Sequence, residues 1–168
     1  MRNNLLAKIL LILIIIGITI IGIIIGISMI NKKVNSIKEI TADQFKQRLS
    51  DKGYYISSSM NEQSPKYLKT AYTAVAKDQS HDIKFYEAQT DEDALTNVFL
   101  KEKEAIVKEQ NKKVEKDISI KKYNYYEVKA NDKVYIVIKN GKTVIITKIE
   151  QNKEKEIKSI LKEFNYIL

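Results

Sequence analysis

Val134-Tyr135-Ile136-Val137-Ile138-Lys139-Asn140-Gly141-Lys142-Thr143-Val144-Ile145-Ile146-Thr147 decides the fold. Branched residues dominate both sides of an Asn-Gly pair, and Val134, Ile136 and Ile138 fall on one face at a period of two. Asn140-Gly141 is the strongest hairpin signal in the chain, because both residues tolerate positive φ. Upstream, Ile118 to Lys129 alternates and Asn131-Asp132 supplies another turn. Thr143 to Ile149 completes a three-stranded antiparallel meander.

Helical periodicity brackets this meander. Ile157, Ile160, Leu161 and Phe164 fall at i, i+3, i+4 and i+7, which predicts a helix over Lys153–Phe164 with one apolar face. Before the meander, Thr90 reads as the N-cap of a helix running to about Asn111. Asp91, Glu92 and Asp93 sit where the helix dipole favours negative charge, and Ala94, Leu95, Val98, Phe99, Ala105 and Ile106 form its stripe.

Further upstream, Ile83 to Glu87 reads as a strand entered from a polar tip, Lys77 to His81. Lys66 to Lys77 suits a helical face as well as a strand, and the tip that follows it favours the strand. Tyr54 to Ser58 is a strand and Ser59 to Pro65 a loop. Thr41-Ala42-Asp43-Gln44 is a capping box, and Gly53 supplies a left-handed stop for its helix. The same ending recurs at Asn165-Tyr166, matching Gly53-Tyr54. The expected class is α+β: about five to six mostly antiparallel strands, with about three helices on one face, over residues 41–168.

The start of the chain is a different material. Of 28 isoleucines, 13 fall between Ile9 and Ile30, a run of 22 residues without a charge. As a helix it would span about 33 Å, against a hydrocarbon core of ~30 Å. The reading is a stub at 1–8, a transmembrane helix at 9–30 inserted in the lipid bilayer, and a polar juxtamembrane linker at 31–40. Gly26-Ile27-Ser28 has small residues at signal-peptidase spacing, but the apolar run exceeds a usual signal core, so an uncleaved anchor is expected. Arg2 and Lys8 before it nearly balance Lys32, Lys33 and Lys38 after it. A short stub followed by a large C-terminal domain is the layout of a signal anchor. The expected placement is therefore a single-pass protein of the bacterial cytoplasmic membrane with its domain outside the cytoplasm. Gly22 and Gly26 form a GxxxG stripe, read either as a surface on which a second copy of the helix packs, giving a homodimer, or as a chance pair in a segment type where glycine is frequent.

Composition excludes several chemistries. With no cysteine there is no disulfide scaffold, thiolate zinc site or iron–sulfur cluster. Residues 31–168 hold 27 basic and 21 acidic groups. The basic excess is almost all lysine, spread rather than striped, so no nucleic acid is expected as partner.

The apolar anchor, Ile40-Thr41-Ala42-Asp43-Gln44-Phe45, Ile83-Lys84-Phe85-Tyr86-Glu87 before Asp91-Glu92-Asp93-Ala94, and a last helix ending in Asn165-Tyr166 resemble a loose group of single-pass membrane or lipoprotein-type proteins of Gram-positive anaerobic bacteria. The resemblance covers most of residues 40–168. It implies a small extracytoplasmic α+β domain and its placement, and carries no activity.

Catalytic candidates are few. Ser119-Ile120-Lys121-Lys122 and Ser159-Ile160-Leu161-Lys162 match SxxK, the spacing of a serine nucleophile and its base. With ten serines and 27 lysines in 168 residues, chance supplies roughly as many matches as are found. His81, the sole histidine, lies between Asp78 and Asp82 and reads as a solvated turn residue, without the companions a metal needs. No cofactor and no catalytic role are expected. Tyr123, Tyr125 and Tyr126 either present rings on one sheet face as a contact surface or belong to the core. Two functions follow: a non-catalytic module contacting another membrane or envelope protein, or a sensor or carrier binding a small ligand or anionic polymer.

Overall fold

The computed structural model describes residues 2–90, 93–108 and 112–167. The chain divides into two units, residues 1–36 and 37–168. The first is one helix, α1 (Arg2–Ser36). Within it, Leu11–Met29 is long and apolar enough to cross a membrane, and its side chains are exposed all round. The polar stretch expected as a linker is helical as far as Ser36. Helix geometry needs no apolar residues once a turn is formed, and nothing in Asn31–Ser36 breaks it.

The second unit is α+β. Its elements are α2 (Ala42–Asp51), β1 (Tyr55–Ser58), β2 (Leu68–Val75), β3 (Asp82–Ala88), α3 (Thr96–Val107), β4 (Lys112–Ile120), β5 (Tyr123–Ala130), β6 (Lys133–Asn140), β7 (Thr143–Glu150) and α4 (Glu154–Glu163). The strands form one sheet in the order β1-β2-β3-β7-β6-β5-β4, with every pairing antiparallel.

Seven strands stand where five to six were expected, because the stretch before Asn131 holds two. Lys121 and Lys122 turn the chain between them, Lys121 taking φ +52°. A lysine pair is no turn signal in sequence. At Asn131-Asp132 both residues have positive φ, as a type I′ hairpin requires. The last hairpin is shifted by one residue. Asn140 pairs with Thr143, so Gly141 and Lys142 form the loop and only Gly141 has positive φ, at +53°. Asn140 is instead a buried strand residue whose side-chain amide finds no partner among the described residues.

The capping box at Thr41 is present, with Gln44 N–H donating to Thr41 Oγ1 and Thr41 N–H to Gln44 Oε1. α2 and α4 end alike. Gly53 (φ +83°) and Asn165 (φ +58°) are left-handed. Tyr54 N–H donates to Leu49 O and Tyr166 N–H to Leu161 O, the six-to-one bond of a Schellman motif. α3 departs from expectation at both ends: it starts at Thr96, not after Thr90, and stops at Val107, short of Asn111. Asp91 and Glu92, assigned to its first turn, lie outside the described residues, as does Asn111.

The helices cover both faces rather than one. Period-two alternation sends Ile83, Phe85, Ile136, Ile138 and Ile145 to the face under α2 and α4, where Phe45 stacks on Phe85 at 4.8 Å and meets Phe164. Leu68, Ala88, Tyr126, Val128, Val137 and Val144 point the other way, and Leu95, Phe99 and Ile106 of α3 pack on them.

Candidate functional site

Of the two readings left open for Tyr123, Tyr125 and Tyr126, the structure has the core: each is less than 5% exposed. Tyr123 and Tyr125 face α4. Tyr123 Oη donates to Tyr166 O at 2.9 Å, and Tyr125 Oη donates to Glu127. Tyr126 follows directly on Tyr125, so it points to the opposite face, where its hydroxyl donates to Glu115 Oε1 at 2.8 Å. Burial pushes all three phenols above their ordinary value. They form no contact surface. At Gly22 and Gly26 an added Cβ would meet nothing within 4 Å, so the glycine stripe of α1 is open in the single chain.

The Ser119–Lys122 spacing does not converge, and Ser159 and Lys162 line one groove along α4. Ser119 Oγ donates to Asn124 Oδ1 at 2.7 Å, while Lys122 Nζ turns to Glu39 at 3.5 Å. Among the described residues no group of acidic residues and histidine could hold a metal ion.

Under α4 lies a charge network. The Glu127 side chain is wholly buried, with Lys158 Nζ at 2.8 Å and Lys116 Nζ at 4.0 Å. Glu154 joins Lys158 and Lys129, each at 2.6 Å. Burial works against the charge on Lys158, but its bonds to Glu127 and Glu154 win and hold the ammonium above its ordinary value. Glu154 is held low: burial opposes this, and Lys129 and Lys158 outweigh it. The network fastens α4 to β5, which is a structural role.

The corner where α2, the β2–β3 hairpin and the start of α4 meet has a different character. The Schellman ending turns Tyr54 inward, and the hairpin tip brings up Asp78, Ser80 and His81. His81 is buried, contrary to the solvated turn residue expected. Its Nε2 lies 2.6 Å from Tyr54 Oη and its Nδ1 2.9 Å from Ser80 Oγ. Ser80 Oγ donates to Asp78 Oδ1 at 2.6 Å, and Ser80 N–H to the same oxygen at 3.1 Å. Lys153 Nζ reaches Asp78 at 3.3 Å and Glu156 at 3.4 Å. Burial pushes the Tyr54 phenol up to about 12, with Glu156 and Asp78 adding to it. Burial holds His81 below its ordinary value, aided by Lys153 and opposed by Glu156, Asp78 and Asp82. The Ser80 hydroxyl and N–H hold Asp78 low. In sequence this corner shows only as a lone histidine between Asp78 and Asp82 in a polar tip.

Next to this corner runs an edge of the sheet. β1 is four residues, Tyr55-Ile56-Ser57-Ser58, without a charge, and Tyr55 is 64% exposed. Tyr55 pairs with Val75 at the base of the same hairpin. The opposite edge, β4, carries Glu115, Lys116 and Asp117, the charged pattern that keeps other strands away. A second open feature is a groove of about 520 Å³ along α4, lined by Lys155, Lys158, Ser159 and Lys162 among others. No family model, curated protein or solved structure matches the chain.

Proposed function

We propose that the chain is a membrane-anchored, non-catalytic interaction module on the outer side of the bacterial cytoplasmic membrane. In this reading α1 lies in the lipid bilayer, and the domain contacts another membrane or envelope protein through β1. One observation carries it: β1 is an uncharged edge strand with an exposed tyrosine, in a sheet whose other edge is guarded by charge. An added strand draws affinity from backbone hydrogen bonds, and a flanking aromatic supplies apolar contact. The open glycine stripe at Gly22 and Gly26 supports homodimerisation of α1, which would present two such edges.

The test places a photo-crosslinking residue at Tyr55 in intact cells. The expected result is a crosslinked envelope or membrane protein that disappears with Ser58→Pro, since Ser58 N–H faces away from β2 and proline there removes an N–H open to an added strand. Equal capture with and without the proline, or none at Tyr55, overturns the reading. Placement is checked with Asp132→Cys, the only thiol in the chain, which a membrane-impermeant maleimide should label in intact cells.

The groove along α4 favours a second reading, a sensor or carrier for an anionic polymer. Lys158 is committed to Glu127 and Glu154, which leaves Lys155 and Lys162 as its cations. Polyanion binding that falls with Lys155→Gln/Lys162→Gln and with added salt supports this reading over the first.

A further inference from the structure

The corner beside β1 has a directed hydrogen-bond chain, and its direction follows from donor counting. The Asp78 carboxylate is ionised and only accepts. Ser80 has one hydroxyl proton and gives it to Asp78 Oδ1, so toward His81 its oxygen accepts. His81 Nδ1 therefore carries the imidazole proton, and Nε2 is bare. Tyr54, whose phenol stays protonated, donates to Nε2 across 2.6 Å. All four groups point one way: Tyr54 to His81 to Ser80 to Asp78.

We propose that this chain is an acid-sensitive latch that holds the β2–β3 tip to the base of β1 and lets go when His81 takes a second proton. A proton on Nε2 faces the Tyr54 hydroxyl proton. The phenol must then turn its O–H away from the partner it has, or the imidazolium must leave the contact. In the first case the contact survives reversed, Nε2–H donating to a phenol whose own proton has lost its acceptor; the second frees the tip, where Ala76 N–H donates to His81 O at 3.0 Å and Gln79 N–H to Ala76 O at 2.8 Å. The charged groups facing His81 are Asp78 and Asp82 on its own hairpin and Lys153 and Glu156 from the start of α4. The three carboxylates favour the imidazolium, and burial with Lys153 opposes it. The latch therefore opens on the acid side of histidine's ordinary titration. Tyr55, next in the chain to the latch tyrosine, pairs with Val75 of the same hairpin, so the state of the latch sets how firmly β1 is held. The effect on partner capture rests on the contact role proposed for β1, whereas the latch is testable on the protein alone.

The experiment uses the full chain in neutral-lipid nanodiscs, with ¹⁵N-labelled histidine. His81 is the sole histidine, so its two ring nitrogens give the only imidazole signals. At pH 7.5 the shifts should report the Nδ1–H form, and on acidification the ring should titrate below its ordinary value. Over the same pH range the amide of Ala76 should lose protection from hydrogen exchange, about tenfold for each unit by which His81 is lowered. In Tyr54→Phe the ring remains but the donor is gone, so His81 should titrate at higher pH and the acid-dependent loss at Ala76 should shrink. An Nε2–H form at neutral pH, an unchanged Ala76 amide while the ring titrates, or an unaltered titration in Tyr54→Phe overturns the proposal. Loss of the Tyr55 crosslink with these three results intact removes the contact role and leaves the latch.

Discussion

The two faces of the sheet are held by different amounts of structure. One carries α2, α4 and the tail through Tyr166, and its centre is the Phe45–Phe85–Phe164 cluster with ring centroids 4.8 and 6.1 Å apart. The other carries α3, packed on β5, β6 and β7, with Met60 beside it. Beside α3 a groove of about 220 Å³ remains, lined by Lys84, Glu102, Tyr135 and Lys148 among others. α3 also leaves Leu100 and Val107 each 44% exposed. Stability is thus concentrated on the first face, and slack on the second. Segments with few buried contacts open at lower cost, so exchange should start from the α3 side.

The strongest break of this contrast is Phe85→Ala. It empties the stack under Phe45 and should cost about 3–5 kcal/mol, read as a lowered denaturant midpoint. Phe99→Ala on the α3 face should cost distinctly less, because that face can collapse into its groove. Equal losses would erase the contrast. Lys158→Met leaves the buried Glu127 carboxylate with Tyr125 and a distant Lys116, and should cost about 3 kcal/mol. Gly141→Ala should cost about 1–3 kcal/mol. It puts a side chain at φ +53°, where the new Cβ would collide with the Glu39 carboxylate. Gly53→Ala at φ +83° meets nothing within 4 Å and should cost only about 1 kcal/mol.

Acid sharpens the comparison. His81 sits on the better-packed side with its titration lowered, so the unfolded chain takes up the proton first. Its contribution is complete above the ordinary histidine value of 6.5 and is lost as pH falls from there through the folded value. His81→Gln should flatten that slope in urea denaturation between pH 7 and 5. The smallest effect is Leu100→Ser, within about 0.5 kcal/mol, since it lies on the exposed side of α3.

What could be read in sequence follows from where the signals live. Capping chemistry is local, so the Thr41 box and the Gly53 and Asn165 stops were legible residue by residue. The strand at Lys112–Ile120 was hidden because its turn is made by lysines, which neither favour nor forbid the bend. The start of α3 was misplaced because Thr90 resembles a cap, whereas Leu95, with no side-chain cap, precedes the first turn. Period two by itself puts Tyr125 and Tyr126 on opposite faces. That both faces are covered, so that both rings are core, depends on helices distant in sequence. The corner around His81 joins residues 54, 78, 80, 81 and 153, and no local pattern connects them.

The place of β7 has a consequence for how the chain can be made. Every pairing but one joins strands adjacent in sequence; the exception is β3 with β7, which sets β7 between β3 and β6 in the middle of the sheet. During synthesis from the N-terminus, β1–β3 and β4–β6 can each form as a separate ribbon, and neither is a domain. The seam arrives with Thr143–Glu150, and the ring of Phe164 that closes over Phe45 arrives later still. A polypeptide stopped after Asn140 would lose its keystone rather than a margin. It would leave two ribbons with bare apolar faces, a substrate for quality-control proteases.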